Sequence, residues 1–275
     1  MERARLSEAL RVGVVDFLNS KPIVHAIETG RIPLPPGVEI VRAAPARLNA
    51  MLREGLLDAS FVSSIEFARS HRDLALLRGL SINSRGFVDS VVLFHAGLPA
   101  LAGGTIGVTG RSATSDVLLR ILLARRYGVE ARLEKGVADL ARVGNDLAGV
   151  LLIGDEALAA RDRRPELLRE DLGHAWHELT GLPMVFAVFA ARRDALAARG
   201  RLLRLAHRAI LTSRDWGMEN LDAIAPSREA RAYFDRLDFR LEGDILDGLR
   251  AFYEHAYKIG ELRELPPAEA LRDER

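Results

Sequence analysis

Residues 12–23 read VGVVDFLNSKPI, an apolar run that passes directly into the polar segment Asn19-Ser20-Lys21-Pro22. The apolar run predicts a buried strand, and Pro22 near a first helical position predicts that a helix begins there. A helix N-terminus leaves backbone N–H groups without partners and carries partial positive charge, so it attracts carboxylates and phosphates. The junction is therefore either an ordinary helix cap, which needs only one of Asn19 and Ser20, or one side of an anion site.

Short apolar strands alternate with helical periods along the chain, which is typical of an α/β fold with largely parallel sheets. The first series predicts strands at 11–15, 38–43 and 58–62, and helices at 22–30, 45–55 and 63–70. The second series predicts strands at 105–109, 129–133 and 149–153, and helices at 114–127 and near 137–144. Further helices are expected over 201–224, 227–237 and 243–259.

Two β-rich runs, residues 88–94 and 184–190, bracket the second series and predict two crossings between lobes. We therefore expect lobe 1 to comprise residues 1–92 and 191–275, and lobe 2 to be an inserted α/β unit of residues 93–190. Ligands of such sheets collect beyond the carboxyl ends of the strands, so a central cleft is the expected site.

Composition narrows the class of protein. The 275 residues are 48% apolar, and 39 basic residues against 38 acidic ones leave a formal charge of +1. That balance argues against a nucleic-acid surface. The chain has no cysteine, which excludes disulfides, thiolate metal sites and a cysteine nucleophile. We see no signal-peptide pattern at the N-terminus and no apolar run of roughly 18 residues, so we expect a soluble cytoplasmic protein without a membrane partner.

A second strand-to-helix junction, TGRSATS at residues 109–115, carries four hydroxyls and Arg111 before an apolar helical period. One hydroxyl suffices for a cap, so this density favours ligand binding through Ser112, Thr114 and Ser115. The nearby glycines match neither the dinucleotide fingerprint nor the phosphate-binding P-loop. Two such junctions, one in each expected lobe, indicate a cleft that grips both ends of a small anion.

Other polar segments are open to two interpretations. Residues 81–86, SINSRG, are either a turn or the floor of the cleft, with Ser84 facing the ligand. Ser63 and Ser64 begin a predicted helix and either cap it or reach the site. Asp155 stands where a strand ends and a helix starts, and capping is favoured over a position in the cleft.

Few residues are marked as acids or bases. His174 and His177 form H-x-x-H without the glutamate of a zinc protease, so no metal site is expected. His25 and Glu66 each lie one turn into a predicted helix and are candidate bases. The G-x-S-x-G pattern of covalent hydrolases is missing from the sequence.

Taken together, these segments resemble the chorismate dehydratases of the futalosine route to menaquinone. The matching stretches occur in the family's order within residues 11–190: VGVVDFLNSKP, GLLDASFVSSIEFA, LSINSRGFVDSVVLF, GVTGRSATSDVLL, LLIGDEAL and DLGHAWHELTGLPMVFAVF. The resemblance implies a type 2 periplasmic-binding-protein fold with two α/β lobes. It also implies loss of water from chorismate to give 3-[(1-carboxyvinyl)oxy]benzoate, without a redox cofactor because elimination makes the ring aromatic.

Chorismate is a small dianion, and two helix N-termini across a cleft suit its two carboxylates. On this basis Asn19 and Ser84 are the expected catalytic residues. The expected substrate-binding residues are Ser20, Ser63, Ser64, Arg111, Ser112, Thr114, Ser115 and Asp155. The proton acceptor is either the substrate's own enolpyruvyl carboxylate or one of His25, Glu66 and Asp155.

Three alternatives to the dehydratase remain at this point. A solute-binding protein for a transporter has the same architecture, although the lack of a signal-peptide pattern argues against it. A non-catalytic ligand sensor in the cytoplasm needs no signal peptide, so this argument does not apply to it. The related 1,4-dihydroxy-6-naphthoate synthase shares the fold. The oligomeric state is not predicted.

Overall fold

A computed structural model describes residues 9–267 and residue 271, and these residues form two β-sheets with flanking helices. The six-stranded sheet contains β1 (Leu10–Val15), β2 (Val38–Ala43), β3 (Ala59–Ser63), β4 (Leu74–Ser84), β10 (Met184–Arg192) and β11 (Leu237–Asp238). The five-stranded sheet contains β5 (Val91–His95), β6 (Thr105–Val108), β7 (Arg132–Lys135), β8 (Gly149–Ile153) and β9 (Leu168–Asp171).

Eleven α-helices pack on these sheets in the part of the chain that is described. They are α1 (Lys21–Glu28), α2 (Pro45–Arg53), α3 (Ser64–Arg69), α4 (Leu98–Leu101), α5 (Ala113–Leu122), α6 (Asp155–Ala160), α7 (Leu172–Thr180), α8 (Arg193–Glu219), α9 (Leu221–Ile224), α10 (Arg228–Phe234) and α11 (Asp244–Lys258). Leu18–Ser20 and Leu140–Arg142 form 3-10 turns, and Leu123–Tyr127 adds a π turn to the end of α5. None of the helices described is long and apolar enough to cross a membrane.

The strand order is β11-β4-β10-β3-β1-β2 in the first sheet and β7-β6-β8-β5-β9 in the second. The expectation of largely parallel sheets is wrong, because three of the five strand pairs of the first sheet, including β11 with β4, and two of the four of the second are antiparallel. β1 pairs in parallel with β2 and β3, but β10 runs antiparallel to β3 and β4. β6 pairs in parallel with β7 and β8, whereas β5 runs antiparallel to β8 and β9. The chain leaves the first sheet after β4 and enters the second with β5. It leaves the second sheet after β9 and re-enters the first with β10.

Most predicted elements are confirmed within a few residues, and the misses have local causes. The helix expected near 137–144 is only a 3-10 turn, because Gly136 and Gly144 adopt φ of +80° and +87° on either side of it. The strand expected at 129–133 begins later, at Arg132, after the left-handed Gly128. Residues 81–84, for which a turn and the floor of the cleft were both left open, are the end of β4 and pair with β10 and β11.

The chain crosses between the sheets twice, from β4 to β5 and from β9 through α7 to β10. Residues 184–190, which the sequence assigns to lobe 2, pair as β10 within the six-stranded sheet. The division into lobes at residues 92 and 190 itself stays a prediction. Strand β5 shows how the core is shared: Val91 and Leu93 face the large core cluster, and Val92 and Phe94 face a smaller one on the opposite side.

Candidate functional site

A pocket lies between the two sheets, at the carboxyl ends of β1, β3 and β8. The last residue of each of these strands, Val15, Ser63 and Ile153, lines it. The pocket encloses about 510 Å³ of space that no protein atom fills, part of it open to solvent. The other lining residues are Phe17, Asn19, Pro45, Ile82, Val88, Ser90, Val91, Ser112, Ser115, Gly154, Phe186, Ala187 and Leu237. Its mixed apolar and polar lining suits a small ring with polar substituents.

The turn between β1 and α1 contributes Asn19. The side-chain oxygen Oδ1 of Asn19 is buried and has no hydrogen-bond partner among the described residues. A buried carbonyl oxygen without a donor is unfavourable, so this atom is available to a ligand. The adjacent Ser20 is used differently: its hydroxyl donates to the Phe17 carbonyl at 3.0 Å and accepts from Arg42 at 3.1 Å. Ser20 stabilises the turn and does not line the pocket.

The start of α5 contributes Ser112 and Ser115 from the other side. Ser112 caps the helix, since its hydroxyl oxygen accepts from the Ser115 N–H at 3.3 Å, and the two hydroxyls lie 2.9 Å apart. Both hydroxyls border the pocket next to the N-terminal N–H groups of a ten-residue helix. This corner carries partial positive charge and two hydroxyl donors, which suits a carboxylate.

Thr114 and Arg111 were predicted from the same segment. Instead of lining the pocket, they join the two halves of the molecule, each built around one of the two sheets. The buried Thr114 hydroxyl oxygen accepts from the Ile65 N–H of α3 at 3.2 Å. The Arg111 guanidinium lies 5.2 Å from the centre of the Phe17 ring and pairs with Glu156 at 2.7 Å. Arg111 thus covers a pocket residue from outside without lining the pocket.

Two predicted serines at the start of α3 also differ. Ser63 lines the pocket, and its hydroxyl oxygen accepts from the Asn49 amide at 3.2 Å. Ser64 is fully buried and donates to the Val185 carbonyl at 2.7 Å. The Ser64 hydroxyl therefore supports β10 and does not reach the pocket.

Ser84, an expected catalytic residue, does not line the pocket either. It nevertheless lies on the same face of β4 as the pocket residue Ile82. Its hydroxyl donates to the Gly86 carbonyl at 3.2 Å. It also lies 2.9 Å from where a side chain on Gly173 would begin, so α7 covers it. The crossing segment presents Ser90 to the pocket in its place. The sequence offered no signal for Ser90, which stands inside an apolar run.

The crossing segment that carries Ser90 is held by a buried carboxylate. Asp171 accepts N–H groups from Val88 and Asp89 as well as from Gly173 and His174 at the start of α7. Burial raises the pKa of Asp171, and the N–H groups of His174, Asp89 and Val88 oppose that rise. Asp171 thereby ties the first crossing to the helix of the second.

Asp155 bonds neither its own helix nor the pocket. Its carboxylate accepts the N–H of Leu18, in the turn that carries Asn19, at 3.1 Å. Gly154 beside it has φ of +60°, and a side chain there would begin 3.0 Å from the Phe17 ring. The segment Gly154-Asp155 is therefore in contact with the turn after β1, across the boundary between the two sheets.

The other acid and base candidates lie away from the pocket lining. His25 stacks on Trp216 with ring centres 6.1 Å apart. Glu66 is buried and paired with Arg53. His174 stacks on Phe87, and no group of three potential metal ligands occurs within the described residues. The side chains that do line the pocket are apolar, hydroxyl or amide.

Comparisons with known proteins agree with this architecture. A family model described as menaquinone biosynthesis matches residues 10–258. The chorismate dehydratase of Thermus thermophilus is 31% identical over 268 residues, which cover 88% of this chain and 93% of that protein. The 1,4-dihydroxy-6-naphthoate synthase of the same organism is 30% identical over 187 residues, which cover 68% of this chain and 67% of that protein.

Solved structures show the fold. A protein of Archaeoglobus fulgidus superposes with a TM-score of 0.70 at 18% identity, covering 94% of this chain and all of that one. The alkanesulfonate-binding protein of Xanthomonas axonopodis gives 0.66 at 16% identity, covering 97% and 99%. The chain thus has the two-lobed, type 2 periplasmic-binding-protein-like fold. Since the family model spans most of its length, the chain belongs to the menaquinone biosynthesis family.

Proposed function

We propose that this protein is a chorismate dehydratase, a hydro-lyase that converts chorismate to 3-[(1-carboxyvinyl)oxy]benzoate in menaquinone biosynthesis. The observation that carries the proposal is the pocket itself, which is lined both by Asn19, whose buried carbonyl oxygen has no partner among the described residues, and by a hydroxyl-rich helix start. The relative that aligns over most of both chains carries this activity in its name.

The side of the pocket formed by the start of α5 binds one of the two carboxylates of chorismate. Ser112 and Ser115 donate hydroxyl hydrogens to it, and the N-terminal N–H groups of α5 add partial positive charge. Phe17 and Phe186 flank the ring. Asn19 lies at the other end, where Oδ1 accepts a hydrogen bond from the substrate.

Dehydration removes the proton on C3 of the ring and the hydroxyl on C4. The ring carboxylate is conjugated with C3 through an alkene, so donors on that carboxylate stabilise the negative charge that develops as the proton leaves. The C4–O bond then breaks with its electron pair, the departing hydroxide takes up a proton, and water leaves an aromatic ring.

The proton acceptor in this proposal is the enolpyruvyl carboxylate of the substrate. The side chains lining the pocket are apolar, hydroxyl or amide, and Glu66 and His25 are engaged elsewhere. The carboxylate takes the C3 proton and returns it to the departing hydroxide, so the substrate supplies both the base and the acid. Contacts across the boundary between the two sheets, such as that of Asp155 with Leu18, limit the access of water, and this strengthens these interactions.

The 1,4-dihydroxy-6-naphthoate synthase is the second candidate, because a relative with that name is nearly as similar over a shorter alignment. The dehydratase is favoured by the longer alignment, 268 residues against 187. A plain binding protein has only the fold in its favour, since the solute-binding neighbours are 16% identical or less.

The test is to incubate the purified protein with chorismate and to follow the mixture by mass spectrometry. We expect a product lighter than chorismate by one water. Tight binding without conversion would contradict the enzyme, and conversion to a different chorismate product would contradict this reaction.

We also place the enzyme in the cytoplasm, because its named relatives are biosynthetic enzymes. Fractionation of source cells, with an antibody against the protein, should recover it with cytoplasmic markers. Recovery with periplasmic markers would contradict this location.

A further inference from the structure

A buried tyrosine outside the pocket lining is bonded to one of the polar residues that line it and lies beside a second. Tyr233 lies on α10 and is 3% exposed, and its hydroxyl donates to the Ser90 hydroxyl oxygen at 2.9 Å. The Asn19 side chain lies next to the same phenol. Ser90 comes from the first crossing and Asn19 from the turn after β1, so one phenol lies between two separate segments of the pocket wall.

The directions of these bonds determine what the pocket presents. Because the Tyr233 O–H donates to Ser90, the hydroxyl hydrogen of Ser90 remains free to point at a ligand. Because the phenol has already donated its hydrogen to Ser90, only the amide NH₂ of Asn19 can turn towards its oxygen, which leaves the carbonyl oxygen to face away. That carbonyl oxygen is the buried atom without a partner.

We propose that Tyr233 is a positioning residue that orients Asn19 as an acceptor and Ser90 as a donor towards one ligand hydroxyl. This inference rests on the proposed function and assigns the group that is bound there. A hydroxyl donates one hydrogen bond and accepts another, so it satisfies both residues at once. In chorismate that group is the C4 hydroxyl, which leaves in the reaction. Tyr233 holds its partners without touching the substrate.

Tyr233 retains its proton in this role. Burial raises the pKa of its hydroxyl, and the neighbouring Ser90 and Asn19 side chains only partly oppose that rise. The phenol therefore keeps its proton at neutral pH and remains a donor to Ser90.

The test is Tyr233→Phe, with Tyr253→Phe as a matched control. Tyr253 is also fully buried, and its hydroxyl also makes one hydrogen bond, to the Ser64 carbonyl at 3.0 Å, but it lies on α11 away from the pocket lining. Each substitution removes one buried hydroxyl, so both should lower the melting temperature by a few degrees.

The two variants should differ in how they bind substrate and product. For Tyr233→Phe we expect the KM for chorismate to rise about tenfold, as for the loss of a ligand hydrogen bond. The product has no C4 hydroxyl and so cannot form that hydrogen bond. Its Ki should therefore change less than about twofold. For Tyr253→Phe, both constants should stay within about twofold of wild type.

Equal changes in KM and Ki for Tyr233→Phe, or values matching those of Tyr253→Phe, would overturn the positioning role. If Tyr233→Phe does not fold, Ser90→Ala must show the same split between KM and Ki, and its absence would overturn the role as well. The proposed function fails separately, if the wild-type protein leaves chorismate unchanged.

Discussion

The turn at residues 17–20 and the turn at residues 109–115 face the same pocket, but their polar atoms are bonded differently. In the second turn, the Ser112 and Ser115 hydroxyls bond each other, and the Ser112 hydroxyl oxygen also accepts the Ser115 N–H. In the first turn, Ser20 bonds the nearby Phe17 carbonyl, but two further partners are distant in sequence: Arg42 bonds Ser20, and Asp155 bonds Leu18.

This difference separates two ways of building one side of a binding site. The second turn is positioned by local capping, so its geometry depends on residues within its own helix start. The first turn is positioned by Arg42 of β2 and by Asp155 of α6, which packs on the other sheet. Substitutions far from the pocket should therefore disturb the first turn and spare the second.

The largest effect is expected at the free atom of the first turn. Asn19→Ala removes the unpartnered acceptor, and we expect kcat/KM for chorismate to fall by about 10²–10³, in the range found when one preorganised polar group is lost. Asn145→Ala is the control, since Asn145 is exposed and bonds only locally, to the Ala141 carbonyl. Turnover by Asn19→Ala within about twofold of this control would remove Asn19 from the mechanism.

The second turn should respond mainly in binding. Ser112→Ala combined with Ser115→Ala removes both hydroxyls, and we expect KM to rise about tenfold or more while kcat changes less. The loss of the Ser112 cap should also lower the free energy of unfolding by about 1 kcal/mol. A fall in kcat with unchanged KM would show that these hydroxyls act on the transition state and not as a ground-state clamp.

A smaller effect is expected at the contact between the halves. Asp155→Ala removes the acceptor for the Leu18 N–H, and we expect a loss in kcat/KM of about fivefold because Asn19 is then held less firmly. Asp155→Asn keeps an oxygen acceptor and should recover most of that loss. Asp162→Ala, at an exposed position in the same half, should resemble wild type. No recovery by Asp155→Asn would mean that the charge matters and not the hydrogen bond.

The smallest effect concerns the pH dependence of stability near the second turn. Burial raises the pKa of Asp116 on α5 to about 6, opposed by Lys135, Arg120 and Arg69 and assisted by Glu261. The folded protein thus holds this proton more tightly than the unfolded chain. Wild type should therefore lose stability relative to Asp116→Asn as pH rises from about 4 to 6, by about 1–2 kcal/mol, and the difference should be constant above pH ~7.

Urea unfolding of the two proteins across pH 4–8 measures this difference. A stability difference that does not vary with pH would show that Asp116 has an ordinary pKa. Activity at fixed pH should be the same in both proteins, because Asp116 does not line the pocket.

Local patterns predicted most of the fold, since periodicity and turn residues act over short distances. Strand β2 and strand β8 have the bounds that their apolar runs predict. The end of β4 could not be assigned because SINS is polar, and its strand conformation depends on pairing with β10, about a hundred residues away. The direction of β10 is also set by long-range topology, which hydrophobic patterning does not encode.

The lining of the pocket was predicted in part for a related reason. Asn19, Ser63, Ser112 and Ser115 line the pocket, as helix-start chemistry suggested. Sequence shows that a hydroxyl is present but not where it points, so Ser20, Ser64 and Thr114 could not be separated from these four.

Residues that long-range packing brings to the pocket could not be predicted from local sequence patterns. Tyr233 and Ser90 are 143 positions apart. Neither stands in a helix-start motif, and only the packing of α10 against the first crossing puts them together.

The central claim is most directly tested by proton NMR of chorismate incubated with the wild-type protein and with Asn19→Ala. With wild type, we predict that the ring protons of chorismate are replaced by those of a 1,3-disubstituted aromatic ring while the enolpyruvyl protons persist. With Asn19→Ala, this conversion should be strongly slowed. An unchanged chorismate spectrum with wild type, or a product that has lost its enolpyruvyl group, would contradict the assignment of this pocket to chorismate dehydration.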